Sequence, residues 1–101
     1  MIDEIREKIL SGRFEFSQHA VDQSILRHIA TQEIRDAVIN GEIIEDYPHD
    51  KYGPSCLVLV RTRAVRPLHI QCSHPMRPIL KIITLYQPDQ MQWIDFRMRK
   101  T

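Results

Sequence analysis

The sequence predicts an α+β fold, with N-terminal helices packed on one face of an antiparallel sheet of about four strands. Two observations support this prediction. Apolar residues recur at three- and four-residue spacing through the N-terminal segment, which is typical of amphipathic helices. After Gly41 the apolar period becomes two, in segments separated by turns that contain proline or glycine, which is typical of strands.

The first helix is predicted at residues 2–10, where isoleucines recur at helical spacing and a glycine follows the last turn. Residues 14–16 alternate phenylalanine with charge and are interpreted as an extended link. Thr31 is the predicted N-cap of the third helix. Asn40 and Gly41 are predicted to end that helix.

The second helix is predicted to begin after Ser17, a residue type that caps helix N-termini, and to run to about residue 28. At about 100° per residue, its apolar arc is expected to be buried. This arc consists of Val21, Ile25, Leu26 and Ile29. His19, Gln23 and Arg27 are spaced i, i+4, i+8 and form a polar row along the border of that arc.

Strands are predicted at residues 43–47, 56–60, 67–73 and 79–86. The second of these is continuously apolar, as expected for an interior strand. In the third, Leu68 and Ile70 alternate with His69 and Gln71, so the two sets point to opposite sides of the sheet. Trp93 has apolar neighbours and is predicted to lie in the core.

A chain of 101 residues has the size of a single domain, here residues 1–101. Its net charge of +1 hides a strong asymmetry. Residues 1–50 carry 11 acidic and 5 basic side chains, whereas residues 51–101 carry 2 acidic and 9 basic ones. The asymmetry indicates either a polyanionic partner, such as RNA, or halves that attract each other within one domain or dimer.

Several classes of protein are disfavoured. Cys56 and Cys72 lie in apolar runs and are expected to behave as small hydrophobic residues. The cysteine and histidine spacing matches no zinc signature, so no metal or other cofactor is predicted. No run of about 18 apolar residues exists, so no membrane association is predicted. The acidic N-terminus does not resemble a signal peptide, which favours a cytoplasmic protein.

Two side chains of the second helix could act on a phosphodiester. His19 lies in the first turn, where the helix dipole favours the neutral imidazole, which can take a proton from a ribose 2′-hydroxyl. Arg27 could bind the phosphate with its guanidinium fork. The alternatives are that His19 caps its helix or packs on Phe16, and that Arg27 forms a surface ion pair.

His69 is the second candidate proton carrier, on the polar face of its strand. Thr84 is expected beside it and completes the candidate catalytic set with His19 and Arg27. The alternative is that this face is polar only for solubility. Side chains that could contact a substrate are Gln23, Arg61, Arg63, Gln71 and Tyr86.

These segments together resemble the bacterial domain of unknown function 4258 family, over about residues 14–95. The resemblance is carried by Phe16-Ser17-x-His19-Ala20, by Asn40-Gly41-Glu42-Ile43-Ile44-Glu45-Asp46-Tyr47-Pro48, by Pro67-Leu68-His69-Ile70, and by Ile83-Thr84-x-Tyr86-x-Pro88-Asp89. The family layout is similar to that of the RelE and BrnT toxins, ribonucleases without metal cofactors. This chain departs from the family at Gln23, where arginine is frequent, and at His28, where glycine usually stands.

The resemblance implies a toxin-like, metal-independent endoribonuclease or an RNA-binding protein, with an antitoxin-type protein as a possible partner. His19, Arg27, His69 and Thr84 are the residues to which the family positions carry over. A different hypothesis is a non-catalytic protein-interaction module or homo-oligomer, which the opposed charges of the two halves favour. A third is a small-ligand protein that uses the polar sheet face.

Overall fold

The computed structural model describes residues 1–101 and confirms an α+β fold. The helices are α1 (Ile2–Leu10), α2 (Gln18–Leu26) and α3 (Thr31–Ala37), and a 3-10 turn follows at Val38–Asn40. The strands are β1 (Phe14–Phe16), β2 (Glu42–Tyr47), β3 (Ser55–Arg61), β4 (Pro67–Ser73), β5 (Leu80–Tyr86), β6 (Trp93–Ile94) and β7 (Met98–Arg99). None of the helices has the length and apolar character that crossing a bilayer requires.

The main sheet has five strands in the order β1-β5-β4-β3-β2, and the short strands β6 and β7 pair only with each other. Strands β2 to β5 are antiparallel, but β1 pairs with β5 in parallel, with Phe14 opposite Leu80 and Phe16 opposite Ile82. The predicted four-stranded antiparallel sheet is therefore incomplete. Residues 14–16 form an edge strand rather than a link, because they hydrogen-bond the otherwise open edge of β5.

One face of the sheet carries the main core and all three helices. Alternate residues of β3, β4 and β5 point to this face and pack against α1, α2 and α3 in one cluster of 16 buried residues. Cys56 and Cys72 belong to this cluster as free thiols. The prediction that they act as small hydrophobic residues is confirmed.

Helix α2 is rotated from the predicted orientation. Ser17 caps it as predicted, since its Oγ accepts a hydrogen bond from the Ala20 backbone N–H. The same hydroxyl donates to the Ile83 carbonyl of β5, which brings the small Ala20 against the sheet. Ile25 and Leu26 are consequently 69% exposed each, so the prediction that they are buried is wrong.

The helix ends also differ from the sequence predictions. His28 ends α2 with a φ of 55°, the left-handed conformation that glycine usually supplies. Thr31 is the first residue of α3, and Ala30 precedes it as the N-cap. Gly41 has an ordinary φ of −66°. A Cβ there would lie 3.0 Å from the Val38 carbonyl oxygen, so Gly41 permits close packing rather than a left-handed helix stop.

The core assignment yields a matched test with two isoleucines. Ile82→Ala is expected to lower the free energy of unfolding by about 2–5 kcal/mol, because Ile82 is fully buried and its removal leaves a cavity. Ile25→Ala should change it by less than about 0.5 kcal/mol. Urea unfolding measures both values. Equal losses would contradict the placement of α2.

Candidate functional site

The second face of the sheet points away from the helices and divides into a covered end and an open end. Strand register aligns Leu59, His69 and Tyr86 in a row at the covered end. Gln71 and Thr84 lie opposite each other in the next row. The hairpin of β6 and β7 covers the first row.

His69 is fully buried beneath this hairpin. Its Nε2 donates to the Phe96 carbonyl at 2.6 Å, and its Nδ1 accepts from the Tyr86 hydroxyl at 3.1 Å. The Trp93 ring packs edge-on at 4.5 Å between centroids. Burial lowers the pKa of His69 below its ordinary value, so the ring is a neutral structural imidazole. The expectation of a solvent-facing His69 is wrong, because the C-terminal segment folds over this face.

Ion pairs fasten the hairpin to strand β2. The Arg99 guanidinium donates from Nε and Nη2 to both carboxylate oxygens of Glu45, at 2.9 and 3.1 Å, and Arg97 pairs with Glu42. Arg99 lowers the pKa of Glu45. Burial and the hydrogen bond to Glu45 raise the pKa of Tyr47 to about 12. Trp93, 5% exposed beneath these contacts, confirms the prediction that it is a core residue.

The α2 candidates lie on the helix side of the sheet, away from His69. His19 is exposed and makes no hydrogen bond or ion pair with the protein. The Gln23 side chain accepts from Nε of Arg27 at 2.9 Å. Arg27 lines a shallow hollow of about 530 Å³ together with Asp89 and Phe96, but His69 itself does not line it. The structure therefore does not bring His19 and Arg27 together with His69.

The remaining candidates are dispersed. The Arg61 guanidinium lies over the Phe96 ring, at 5.7 Å from its centroid. Arg63 lies in the turn between β3 and β4. Its side chain is 89% exposed, and its Nε lies 3.9 Å from the Asp36 carboxylate of α3. Gln71 donates to the buried Ser55 hydroxyl at 3.1 Å. Thr84 and Tyr86 share the second face with His69, but Tyr86 is occupied by its hydrogen bond to that ring.

A cleft of about 530 Å³ lies at the open end of the second face. It is bordered by the loop between β2 and β3 and by the loop between β4 and β5. Its lining includes Asp50, Tyr52, Ser73, His74, Arg77 and Lys81. The cleft therefore contains two cations, Arg77 and Lys81, and one carboxylate, that of Asp50. This carboxylate already accepts a hydrogen bond from the Ser55 hydroxyl at 3.1 Å.

His74 is held by a carboxylate at the wall of this cleft. Its Nε2 lies 2.6 Å from Asp46 Oδ1 and 3.1 Å from the Ser55 carbonyl oxygen, so Nε2 carries a proton. Nδ1 has no partner within the protein, and when the ring is neutral it holds the lone pair. Arg77 forms none of the nine ion pairs, and Lys81 is 3.6 Å from Glu15.

Sequence reasoning missed this group because His74 and Arg77 lie in a proline-containing loop without periodicity. The alternation that places Ser73 on the second face is the one signal that points there. The chain has no group of three or more histidine, cysteine, aspartate or glutamate side chains that could hold a metal ion.

Most of the charge asymmetry is accounted for within the chain. Five of the nine ion pairs join an acidic residue of the N-terminal half to an arginine or lysine of the C-terminal half, and a sixth joins Asp46 to His74. The opposed halves thus attract each other within one molecule. The arginines and lysines of the C-terminal half that form no ion pair are Lys51, Arg61, Arg77 and Lys100.

These features define an α+β protein with a mixed five-stranded sheet and a basic cleft at one end of its polar face. The chain belongs to the family described as "Domain of unknown function (DUF4258)", which matches residues 16–87. No curated protein and no solved structure gives a significant match. The match spans the segment from α2 to β5 and leaves α1 and the C-terminal hairpin outside.

Two arginines of the turn between β3 and β4, Arg66 and Arg63, differ in how much they are expected to contribute to stability. Arg66 donates to the carbonyls of Arg27 and His28 and to the Gln87 side chain, at 2.7, 3.2 and 2.9 Å. Arg66→Ala should lower the free energy of unfolding by about 1–3 kcal/mol. The exposed Arg63→Ala should change it by less than about 0.5 kcal/mol. Chemical denaturation measures both changes. If Arg66→Ala left the free energy of unfolding unchanged, the structural role of Arg66 would be refuted.

Proposed function

We propose that this is a small cytoplasmic RNA-binding protein whose cleft takes the phosphodiester backbone and cleaves it without a metal ion. The observation that carries the proposal is the grouping of one carboxylate-held imidazole, His74, with two cations, Arg77 and Lys81, around one cleft. Cations and an imidazole are the groups that metal-independent cleavage needs. The proposal keeps the chemistry predicted for His19 and Arg27 but assigns it to other residues.

The reaction would begin when Nδ1 of His74 takes the proton of a ribose 2′-hydroxyl. The freed oxygen then bonds to the adjacent phosphorus, and the bond from phosphorus to the 5′-oxygen breaks. The departing oxygen takes a proton from Lys81 or from water, which leaves a 2′,3′-cyclic phosphate and a 5′-hydroxyl. Asp46 positions His74 by fixing Nε2 as the protonated nitrogen. Arg77 would stabilise the charge that grows on the phosphoryl oxygens.

Labelled single-stranded RNA in a chelating buffer tests the proposal. His74→Gln should keep binding and lower the cleavage rate by at least about 100-fold, because it removes the base. Arg77→Ala should weaken binding and reduce the slope of log affinity against log salt by about 1, because it removes one phosphate contact. Lys100→Ala, which removes an exposed cation outside the cleft, is the charge-matched control.

Three results would contradict the proposal. One is the absence of salt-dependent RNA binding. Another is cleavage that His74→Gln does not slow. The third is a loss of binding in Arg27→Ala but not in Arg77→Ala, which would return the site to the residues predicted from sequence.

A second candidate function is a protein-interaction module that binds an antitoxin-type partner or a second copy. It is favoured by the adjacent side chains of Ile25 and Leu26, which expose apolar surface at the end of α2. Light scattering after size exclusion should then show a dimer or a complex that Leu26→Lys disrupts and Lys100→Ala does not. A monomer that captures no partner at low and at high salt argues against this function.

A further inference from the structure

The C-terminal hairpin is attached to the rest of the protein through side chains. Its strands β6 and β7 hydrogen-bond each other, and no backbone–backbone hydrogen bond joins them to the five-stranded sheet. The polar attachments are the bond from His69 to the Phe96 carbonyl and the ion pairs of Arg97 and Arg99 with β2. In addition, Trp93 packs on the His69 ring and Arg61 lies over the Phe96 ring. An element held in this way can separate from the sheet while the sheet remains intact.

The turn of the hairpin is held in a conformation that its residues do not favour. Asp95 and Phe96 have φ values of 52° and 61°, which is the geometry of a two-residue turn that asparagine and glycine usually form. For a bulky residue such as Phe96 this geometry is uncommon. The contacts of Phe96 with His69 and Arg61 therefore offset the free-energy cost of this backbone conformation.

The hydrogen bonds of His69 are compatible with only one protonation state of the ring. A carbonyl oxygen can only accept, so Nε2 must donate to Phe96. Nδ1 then accepts the proton of the Tyr86 hydroxyl, which makes no other hydrogen bond. A second proton on the ring would displace that hydroxyl proton and place a charge in a fully buried position.

We propose that the hairpin is a proton-releasable cover: protonation of His69 separates it from the sheet and extends the cleft along β4 and β5. The row that it uncovers, Leu59, His69 and Tyr86, lies on the face that carries Ser73 and Lys81 of the cleft. The family match ends at residue 87, so the cover lies outside the matched segment. This inference does not depend on the chemistry proposed for the cleft.

The sign of the pH dependence follows from the groups around His69. Tyr86 faces it from β5, the Glu45 carboxylate from β2 and the Arg99 guanidinium from β7. Strand β3 contributes the uncharged Leu59 beside the ring and the Arg61 guanidinium over the Phe96 ring. Burial lowers its pKa most, and the Phe96 carbonyl and Glu45 oppose this effect. The released ring returns to an ordinary value near 6.5. The covered state therefore has its full stability above about pH 6.5. Below that pH, the ratio of covered to released protein falls by up to about tenfold per pH unit.

Trp93 is the only tryptophan of the chain and packs on His69, so it reports the position of the hairpin directly. Between pH 7.5 and 5 its emission should shift to the red, and hydrogen-exchange protection of residues 93–99 should fall at least tenfold. Far-UV circular dichroism should stay constant. His69→Gln should abolish the pH dependence. Arg99→Ala should raise the midpoint pH, and Lys100→Ala should leave it unchanged.

The proposal is overturned if the hairpin keeps its protection down to pH 5, or loses it only together with the whole fold. It is also overturned if His69→Gln titrates like the parent protein. Should His69→Gln fail to fold, Arg99→Ala decides. An unchanged midpoint in that variant contradicts the proposal, because the ion pair of Arg99 with Glu45 fastens the hairpin to β2.

Discussion

The buried imidazole of His69 determines the layout of the second sheet face. A polar ring without access to water must have both nitrogens hydrogen-bonded, and the Phe96 carbonyl and the Tyr86 hydroxyl satisfy them. These bonds fix the hairpin at one end of the face, where Trp93 completes a small second core with Leu57 and Leu59. The open end is left as the cleft.

Ion pairs between the two halves of the chain also help to hold the hairpin and the strands in place. The acidic first half of the chain supplies β2 and the helices, and the basic second half supplies the strands and hairpin that pack against them. Pairs such as Glu45 with Arg99 and Glu42 with Arg97 join the halves and neutralise charge locally. Exposed pairs of this kind add little stability, but they select which elements meet. Arg77 lines the cleft without an ion pair of its own.

Local sequence signals predicted the elements well, and non-local contacts account for the errors. The Ser17 cap and the alternation in β4 are short-range patterns, and the structure confirms both. The parallel pairing of β1 depends on a strand more than 60 residues away and leaves no local trace. The rotation of α2 depends on the hydrogen bond of Ser17 to β5. His69 looked exposed because alternation shows which side of a sheet a residue faces, but not whether a later segment covers that side.

The neutral, Nε2-protonated state of His69 is the claim on which the covered end and the open cleft both depend. Nitrogen-15 NMR of the histidine rings at pH 7 tests it most directly. One imidazole is expected to show a slowly exchanging Nε2–H, which donates to the Phe96 carbonyl, and an unprotonated Nδ1, which accepts from the Tyr86 hydroxyl. A charged ring, the opposite tautomer, or rapid exchange of this proton with water would contradict it.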